Sequence, residues 1–197
     1  MNISLLCGLD EAGRGPLAGP VAAASVILPA DFPVEMLNDS KKMSEKKRIE
    51  VEKIIKERAC WGVALVDHVI IDEINILQAS LLAMEQAFSK MLEKLSSFCE
   101  QEFGSNIIPN ISAIVDGNKC PNLKIPCEAK PKADATFYEV MAASILAKNE
   151  RDRVMIEYSK LYPEYGYEKH KGYPTKEHKE ICYRIGPSPI QRKTFKF

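Results

Sequence analysis

Acidic side chains stand at the ends of two apolar segments of this 197-residue sequence. Asp10 and Glu11 follow the apolar residues 3–9, and Asp116 follows residues 111–115. Carboxylates at the ends of buried strands must be solvated, capped or bound to metal, because burying them unpaired is costly. Asp134 precedes a long segment with helical periodicity, where it could cap the helix or bind metal.

These carboxylates have no histidine or cysteine beside them in the sequence. Oxygen ligands of this kind suit Mg²⁺ or Mn²⁺ rather than zinc. Two such ions about 3.5–4 Å apart can activate a water and stabilise the leaving oxygen in phosphodiester cleavage. Taken singly, each residue also has an ordinary interpretation, such as turn formation at Asp116-Gly117. Asp152, between Arg151 and Arg153, is interpreted as a surface ion-pair partner.

A glycine-rich segment, Gly13-Arg14-Gly15, follows the acidic pair directly. Its spacing to Gly19 does not match the dinucleotide-binding fingerprint, and two preceding carboxylates would repel a pyrophosphate. The glycines could instead let the backbone approach a sugar-phosphate chain, with Arg14 on a phosphate.

The charge of the chain is balanced overall but unevenly distributed. Lys plus Arg and Asp plus Glu each number 27, which excludes a strongly basic nucleic-acid binder. Residues 1–118 hold 11 basic and 17 acidic side chains, a net of −6, and residues 119–197 carry the compensating +6. This segregation indicates either an anion-binding face beside an acidic site or uneven surface decoration.

The basic excess continues into the C-terminal segment. Residues 165–197 contain eight Lys or Arg against three Glu, interleaved with tyrosines. This pattern is compatible with phosphate contact and aromatic stacking, or with tyrosines that pack on the body of the protein. His170 and His178 could form an interface or lie on the surface.

The elements that must position these residues follow from apolar periodicity and from capping residues. Ser44 is expected to cap one helix and Asp72 another, and residues 99–110 are expected to form a loop. The alternation predicts an α/β fold, a mixed sheet flanked by helices. The predicted strands are 3–9, 21–28, 61–66, 111–115 and 123–126, and the predicted helices are 45–58, 72–94, 137–161 and 176–185.

Two compositional features bear on location. No apolar run is long enough for a transmembrane helix, and the N-terminus lacks a signal peptide pattern. The six scattered cysteines form no Cys-x-x-Cys pair and are interpreted as reduced thiols that mostly fill the core. Both features predict a cytoplasmic protein.

Together these segments resemble one family, ribonuclease HII (the type 2 ribonuclease H), in the family's order and over nearly the whole chain. The matching residues are Gly8-Leu-Asp10-Glu11-Ala-Gly13-Arg14-Gly15-Pro-Leu-Ala-Gly-Pro20, Asn38-Asp39-Ser40-Lys41-Lys42, Val115-Asp116-Gly117, Ala142-Ala-Ser144-Ile-Leu-Ala-Lys148, Arg151-Asp152, Tyr165-Gly-Tyr167, His170-Lys-Gly-Tyr173-Pro-Thr175 and Gly186-Pro-Ser-Pro-Ile190.

The resemblance implies an RNase H-like catalytic domain over residues 1–161 and a helical, substrate-contacting extension over 162–197. It implies endonucleolytic cleavage of RNA in RNA–DNA hybrids and at single ribonucleotides embedded in duplex DNA, as in ribonucleotide excision repair. Hydrolysis with two Mn²⁺ or Mg²⁺ ions would leave 5′-phosphate and 3′-hydroxyl ends.

The resemblance also assigns roles to residues. The metal-binding and catalytic carboxylates would be Asp10, Glu11, Asp116 and Asp134. The substrate-binding residues would be Gly13, Arg14, Gly15, Lys41, Lys148 and Tyr173. The glycine loop would read the ribose 2′-hydroxyl, and Tyr173 would stack on the deoxyribose beyond the junction. Lys132-Ala133-Asp134 departs from the family pattern, which usually has Gly before the fourth carboxylate.

Other readings remain for the same residues. A different RNase H-like nuclease, such as a Holliday-junction resolvase, would not require a 2′-hydroxyl, and a hybrid-binding protein would lack catalysis. The related ribonuclease HIII carries an added N-terminal domain, which this chain, starting at the first strand, is not expected to have. A monomer without membrane association is expected. The last residues, 191–197, faintly resemble a sliding-clamp peptide.

Overall fold

A mixed five-stranded sheet forms the centre of the protein in a computed structural model that describes residues 3–104 and 107–196. The spatial order is β3-β2-β1-β4-β5. β1 pairs antiparallel with β2, and β2 with β3, whereas β4 lies parallel to β1 and to β5. The strands are β1 (Ser4–Ala12), β2 (Val21–Ile27), β3 (Cys60–Val66), β4 (Asn110–Asp116) and β5 (Cys127–Lys130).

Helices cover both faces of this sheet, so the predicted α/β class is confirmed. The two sides of β2 alternate between two cores: Val21 and Ile27 pack with the second helix, and Val26 packs with the first and third. All seven residues of β2 are buried, as expected of a strand covered on both faces. The helices are α1 (Glu45–Arg58), α2 (His68–Phe103), α3 (Tyr138–Leu161), α4 (Tyr167–His170) and α5 (Lys176–Ile185).

Gly8 allows α3 to approach β1 closely. A Cβ atom at this position would lie 2.2 Å from the backbone carbonyl carbon of Glu139 in the first turn of α3. The glycine therefore brings the N-terminus of α3 against the strand that carries Asp10.

Most predicted elements are confirmed within a few residues. α1 and α5 have the predicted bounds, and the Ser44 hydroxyl caps α1 by accepting a hydrogen bond from the Lys47 N–H at 3.3 Å. The core-filling role of cysteine holds for Cys7, Cys60, Cys99 and Cys182, which are buried, whereas Cys120 is exposed. Within the described ranges, no helix is both long and apolar enough to cross a lipid bilayer.

The predicted Asp72 cap is wrong. The N-cap of α2 is Asp67, five residues earlier, and its carboxylate accepts from the Ile70 N–H at 3.0 Å. The Asp72 carboxylate instead accepts from the backbone N–H groups of Lys193 and Thr194, at 2.8 and 3.0 Å. An N-cap pattern in sequence cannot show that a distant segment will use the same oxygen atoms.

α2 is also longer than predicted and is interrupted at Asn75. This residue has φ 67° and ψ 162°, and its side-chain oxygen accepts from the N–H groups of Leu77 and Gln78. Asn75 therefore ends one helical segment and caps the next. The helix reaches Phe103, so the predicted loop at 99–110 starts late, with Gly104 as a left-handed C-cap.

The short strand predicted at 123–126 is wrong, and β5 occupies Cys127–Lys130 instead. Lys124 has a left-handed φ of 56°, and Pro126 has no N–H for a sheet ladder. Pairing with β4 therefore begins only after the proline.

We expect Asn75→Ala to lower the free energy of unfolding by about 1–2 kcal/mol, because it removes a cap and places a Cβ-bearing residue without a polar side chain at positive φ. Asn75→Gly loses the same cap, but glycine adopts a positive φ without strain. Its loss of unfolding free energy should therefore be only about 0.3 kcal/mol. Urea unfolding of both variants measures the difference. Equal losses in the two would show that the positive φ of Asn75 carries no cost for alanine, and no loss in either would show that Asn75 does not cap the second segment.

Candidate active site

Three carboxylates from separate parts of the chain meet at one edge of the sheet. Leu9 of β1 pairs with Val115 of β4 in parallel register, so the next residues, Asp10 and Asp116, lie side by side. Asp134 comes from a short 3-10 turn, Ala133–Ala135, just before α3. Oxygen atoms of the three carboxylates all lie within 4.8 Å of one another.

Hydrogen bonds fix the orientation of this cluster. One Asp116 oxygen accepts from the Ala133 N–H at 2.8 Å, which ties the end of β4 to the turn that carries Asp134. The Asp134 side chain does not cap α3, since the N-cap residue is Phe137 and no side chain caps that helix. The departure from the family pattern at residues 132–134 therefore still places Asp134 beside the other two carboxylates.

Asp10 is held from the side of α3. The neighbouring Ser144 side chain opposes the rise in the pKa of Asp10, and the Ser144 oxygen lies 2.8 Å from the hydroxyl oxygen of Ser40. All three residues are buried. Ser40 and Ser144 form a polar connection from the loop before α1 to the metal-ligating candidate Asp10.

The electrostatics of the cluster are unfavourable without a cation. Burial raises the pKa of Asp10 well above its ordinary value, and the neighbouring charges of Glu11 and Asp116 raise it further. Burial and the charge of Asp134 likewise raise the pKa of Asp116. Three converging carboxylates, of which Asp10 and Asp116 resist ionisation, fit a hard divalent cation, which would neutralise the cluster and use oxygen ligands.

Glu11 is not part of this group of three. Its carboxylate lies 3.5 Å from the Arg14 guanidinium, which opposes the rise in the pKa of Glu11 caused by burial. Glu11 lines a neighbouring cleft of about 620 Å³ instead.

All six residues assigned to substrate binding line this same cleft. They are Gly13, Arg14, Gly15, Lys41, Lys148 and Tyr173. Lys41 lies 3.8 Å from Asp134, which connects the cleft with the carboxylate cluster. Lys148 donates to Asp152 at 2.7 Å and lies 5.8 Å from the centre of the Tyr173 ring.

The prediction that Asp152 forms an ion pair on the surface is wrong. It is buried, and its partners are Lys148 and Arg48 rather than the adjacent arginines. Arg153 pairs with Glu52 and Glu150 on the exposed side of α3. Neighbours in sequence point in different directions around a helix, so adjacency did not predict the partner.

Arg151 is a site residue to which sequence reasoning assigned no role, although it belongs to a matched motif. It is fully buried, and its guanidinium donates to the carbonyls of Pro20 and Ala18 at 3.0 and 3.2 Å. Gly13 has φ 103°, and a Cβ there would lie 2.1 Å from the Arg151 Nε atom. The glycine is therefore required by both backbone conformation and the packing of Arg151.

The loop that carries Tyr173 rests on two stacked imidazoles. The rings of His170 and His178 lie 4.4 Å apart at 15°, and both residues are buried. The Gly172 N–H donates to Nδ1 of His170, and Nδ1 of His178 donates to the Tyr173 carbonyl at 3.0 Å. Neither histidine lies on the surface, and both orient the backbone beside Tyr173.

The fold and the carboxylate cluster define a class of protein, a nuclease with the RNase H fold. The ribonuclease HII family model matches residues 7–197. A ribonuclease HII from Treponema denticola is 56% identical over 195 residues, covering 97% of this chain and 98% of the relative. One from Dechloromonas aromatica is 48% identical, covering 98% and 91%. The chain belongs to the ribonuclease HII family.

Solved structures agree with the fold. The crystal structure of ribonuclease H2 from Pyrococcus horikoshii has a TM-score of 0.70 at 25% identity, covering 98% of this chain and 94% of that one. The RNase HII of a PCNA complex from Archaeoglobus fulgidus has a TM-score of 0.72 at 22% identity, covering 98% and 96%. The protein is thus a ribonuclease H, a divalent-metal-dependent hydrolase of nucleic acid.

We expect Asp10→Asn to raise the melting temperature in the absence of divalent ions, because it removes one of the repelling buried charges. In the wild type, Mn²⁺ at 100 times its dissociation constant should add about 2.7 kcal/mol. This stabilisation should be much smaller in Asp10→Asn. Thermal unfolding with EDTA and with Mn²⁺ measures both effects, and Asp31→Asn, an exposed carboxylate paired with Arg58, serves as the control.

We expect the imidazole pair to make the protein less stable in mild acid. Burial lowers the pKa of both His170 and His178 below the ordinary 6.5. A histidine whose pKa is lowered in the folded state contributes its full stabilisation to the free energy of unfolding above pH 6.5. This stabilisation is lost as the pH falls through the pKa of the folded state.

The measurement is urea unfolding between about pH 5 and 8. His178→Asn keeps a donor for the Tyr173 carbonyl but has no titrating group, so the difference in unfolding free energy between it and the wild type should shrink toward acid pH. A pH-independent difference for His178→Asn would contradict the assignment.

Proposed function

We propose that the protein cleaves the RNA strand of RNA–DNA hybrids and also cuts at single ribonucleotides embedded in duplex DNA. The observation that carries this proposal is the position of the carboxylate cluster beside a cleft lined by a glycine loop and an exposed tyrosine. A nuclease that only neutralised phosphates would need no such loop, whereas recognition of one ribose needs backbone groups close to the sugar. This activity would place the protein in ribonucleotide excision repair.

Asp10, Asp116 and Asp134 would hold the divalent ions, with Glu11 completing the second site. We propose Mg²⁺ or Mn²⁺, because the donors are carboxylate oxygens. Two bound ions would supply Lewis-acid stabilisation of the attacking and leaving oxygens, giving 5′-phosphate and 3′-hydroxyl ends. The protein would fix the geometry of this reaction through the hydrogen bonds that the Ala133 and Glu11 N–H groups donate to the Asp116 and Asp10 carboxylates.

The cleft residues would bind the substrate on either side of the scissile phosphate. The backbone of Gly13, Arg14 and Gly15 would read the 2′-hydroxyl, and Lys41 and Lys148 would contact phosphates. Tyr173, 37% exposed, offers an aromatic face to the deoxyribose beyond the junction. The positive charge of these side chains offsets the acidic cluster as the duplex approaches.

Residues 162–197 would act as an extension that contacts the duplex beside the catalytic domain of residues 1–161. A small cluster with buried Tyr165, Tyr167 and Ile190 packs this segment on Met155 of α3. We also propose that the protein works as a monomer in the cytoplasm, since thiols packed in its core suit a reducing compartment.

Contact with a sliding clamp stays a prediction. Gln191 is 5% exposed and forms a β-bridge with Ala18, and Phe195 packs against the core. Phe197 lies outside the described residues. Clamp binding through this segment would therefore require residues 191–195 to leave their positions on the body.

The test uses three labelled duplexes with Mg²⁺ or Mn²⁺: an RNA–DNA hybrid, a DNA duplex with one ribonucleotide, and an all-DNA control. We expect cleavage of the first two only. Asp116→Asn should lower kcat by more than about 100-fold, since loss of even the outer partners of metal ligands costs 10–100-fold. Substrate binding should be largely kept.

Asp31→Asn is the matched control and should cleave like the wild type. Cleavage of the all-DNA duplex would indicate a nuclease that does not need the 2′-hydroxyl. Binding without cleavage of any duplex would indicate a hybrid-binding protein. Normal turnover by Asp116→Asn would contradict the site assignment.

A further inference from the structure

We propose that Arg192, in the C-terminal segment, is a positioning residue that holds the active-site loop in the conformation needed to read the ribonucleotide. The loop comprises residues 13–20. Arg192 is fully buried beneath it, and no substrate could touch its side chain in this position. The role in reading the substrate rests on the proposed function, whereas the effect on the loop can be tested without substrate.

The guanidinium of Arg192 binds backbone carbonyls of the loop. Its five hydrogen bonds go to the carbonyl oxygens of Gly13 (2.7 Å), Arg14 (3.2 Å), Pro16 (2.8 Å), Gly19 (2.9 Å) and Pro20 (3.1 Å). Among the described residues, no carboxylate forms a salt bridge with this guanidinium. Five carbonyl dipoles with their negative ends converging would repel one another, so the loop conformation depends on a cation at this point.

The direction of these carbonyls determines where the loop presents its N–H groups. In a trans peptide the C=O of one residue and the N–H of the next point in opposite directions. With the Gly13 and Arg14 carbonyls turned toward Arg192, the N–H groups of Arg14 and Gly15 point away from it, and both residues are exposed in the cleft.

The peptide between Pro16 and Leu17 shows the same geometry. The Pro16 carbonyl accepts from Arg192, and the following Leu17 N–H points the other way and donates to the Gly172 carbonyl at 2.8 Å. Gly172 precedes Tyr173, so the conformation set by Arg192 also connects the glycine loop with the tyrosine loop. The buried Arg192 guanidinium therefore orients the glycine loop directly and the loop that carries Tyr173 indirectly.

The C-terminal segment is itself anchored on both sides of Arg192. Before it, the Ile190 carbonyl accepts from the Gly19 N–H at 2.9 Å, and the Arg192 N–H donates to the Leu17 carbonyl at 2.8 Å. After it, the Thr194 hydroxyl and N–H donate to the Asp72 carboxylate at 2.6 and 3.0 Å. Asp72 of α2 thus helps to hold the guanidinium in place from outside the site.

The first experiment follows amide hydrogen exchange in the loop without substrate. In Arg192→Ala, the hydrogen-bonded loop amides of Leu17 and Gly19 should exchange faster than in the wild type, while those of β1 and β4 stay protected. Millimolar guanidinium chloride should restore slow exchange by filling the cavity, and ammonium chloride at equal ionic strength should not. Unchanged exchange of the loop amides in Arg192→Ala would overturn the proposal.

The second experiment measures kinetics on the duplex with one ribonucleotide. A misplaced recognition loop can cost on the order of 100-fold, so we expect kcat/KM of Arg192→Met to fall by about that factor, chiefly through KM. Stabilisation by Mn²⁺ should stay as in the wild type, because the carboxylate cluster is intact. Arg192→Lys should recover part of the loss, and Arg58→Met, at a half-buried arginine outside the cleft, should match the wild type.

Asp72→Ala provides a second variant in case Arg192→Met does not fold. It releases the segment from α2 and should raise KM in the same direction by a smaller factor. A wild-type KM in folded Arg192→Met, or in Asp72→Ala if Arg192→Met is unfolded, would overturn the proposal. If the wild type itself does not cut the duplex, the proposed function fails, and the exchange experiment still decides the role of Arg192 in the loop.

Discussion

Repulsion among three converging carboxylates must be held in check by the fold around them. Asp10, Asp116 and Asp134 have oxygen atoms within 4.8 Å of one another, and burial makes ionisation of Asp10 and Asp116 still more costly. Such a cluster persists only because the sheet register, the turn at Ala133–Ala135 and the Ser144 hydroxyl hold it together. The fold therefore holds these carboxylates in an arrangement that favours the binding of divalent cations.

Buried arginines organise the loop of residues 13–20 by the same physical principle with the signs reversed. Arg151 and Arg192 are fully buried, and their hydrogen bonds go to carbonyl oxygens of the glycine loop. Backbone dipoles, rather than carboxylates, satisfy these guanidinium groups. The zero net charge of the chain is thus the sum of two different local environments. One is the carboxylate cluster, which favours metal binding, and the other is the loop of residues 13–20, whose backbone is oriented by arginines.

Much of the architecture could be predicted from local sequence. α1 and α5 have the predicted bounds because Ser44 and Thr175 are good caps at the start of clear helical segments. Predictions failed where a distant contact outweighed a local signal. Asp72 has the sequence context of a cap but binds the C-terminal segment, and Asp152 pairs with Arg48, which is 104 residues away.

The chemical groups of the site are already visible in the sequence: strands ending in carboxylates, a glycine loop with an arginine, and a basic, tyrosine-rich C-terminal segment. Which carboxylates meet depends on long-range pairing, because Asp10 and Asp116 become neighbours through the parallel alignment of β1 with β4. Only the tertiary structure showed the role of Arg192, since an arginine that binds five carbonyls through its side chain leaves no local pattern in the sequence.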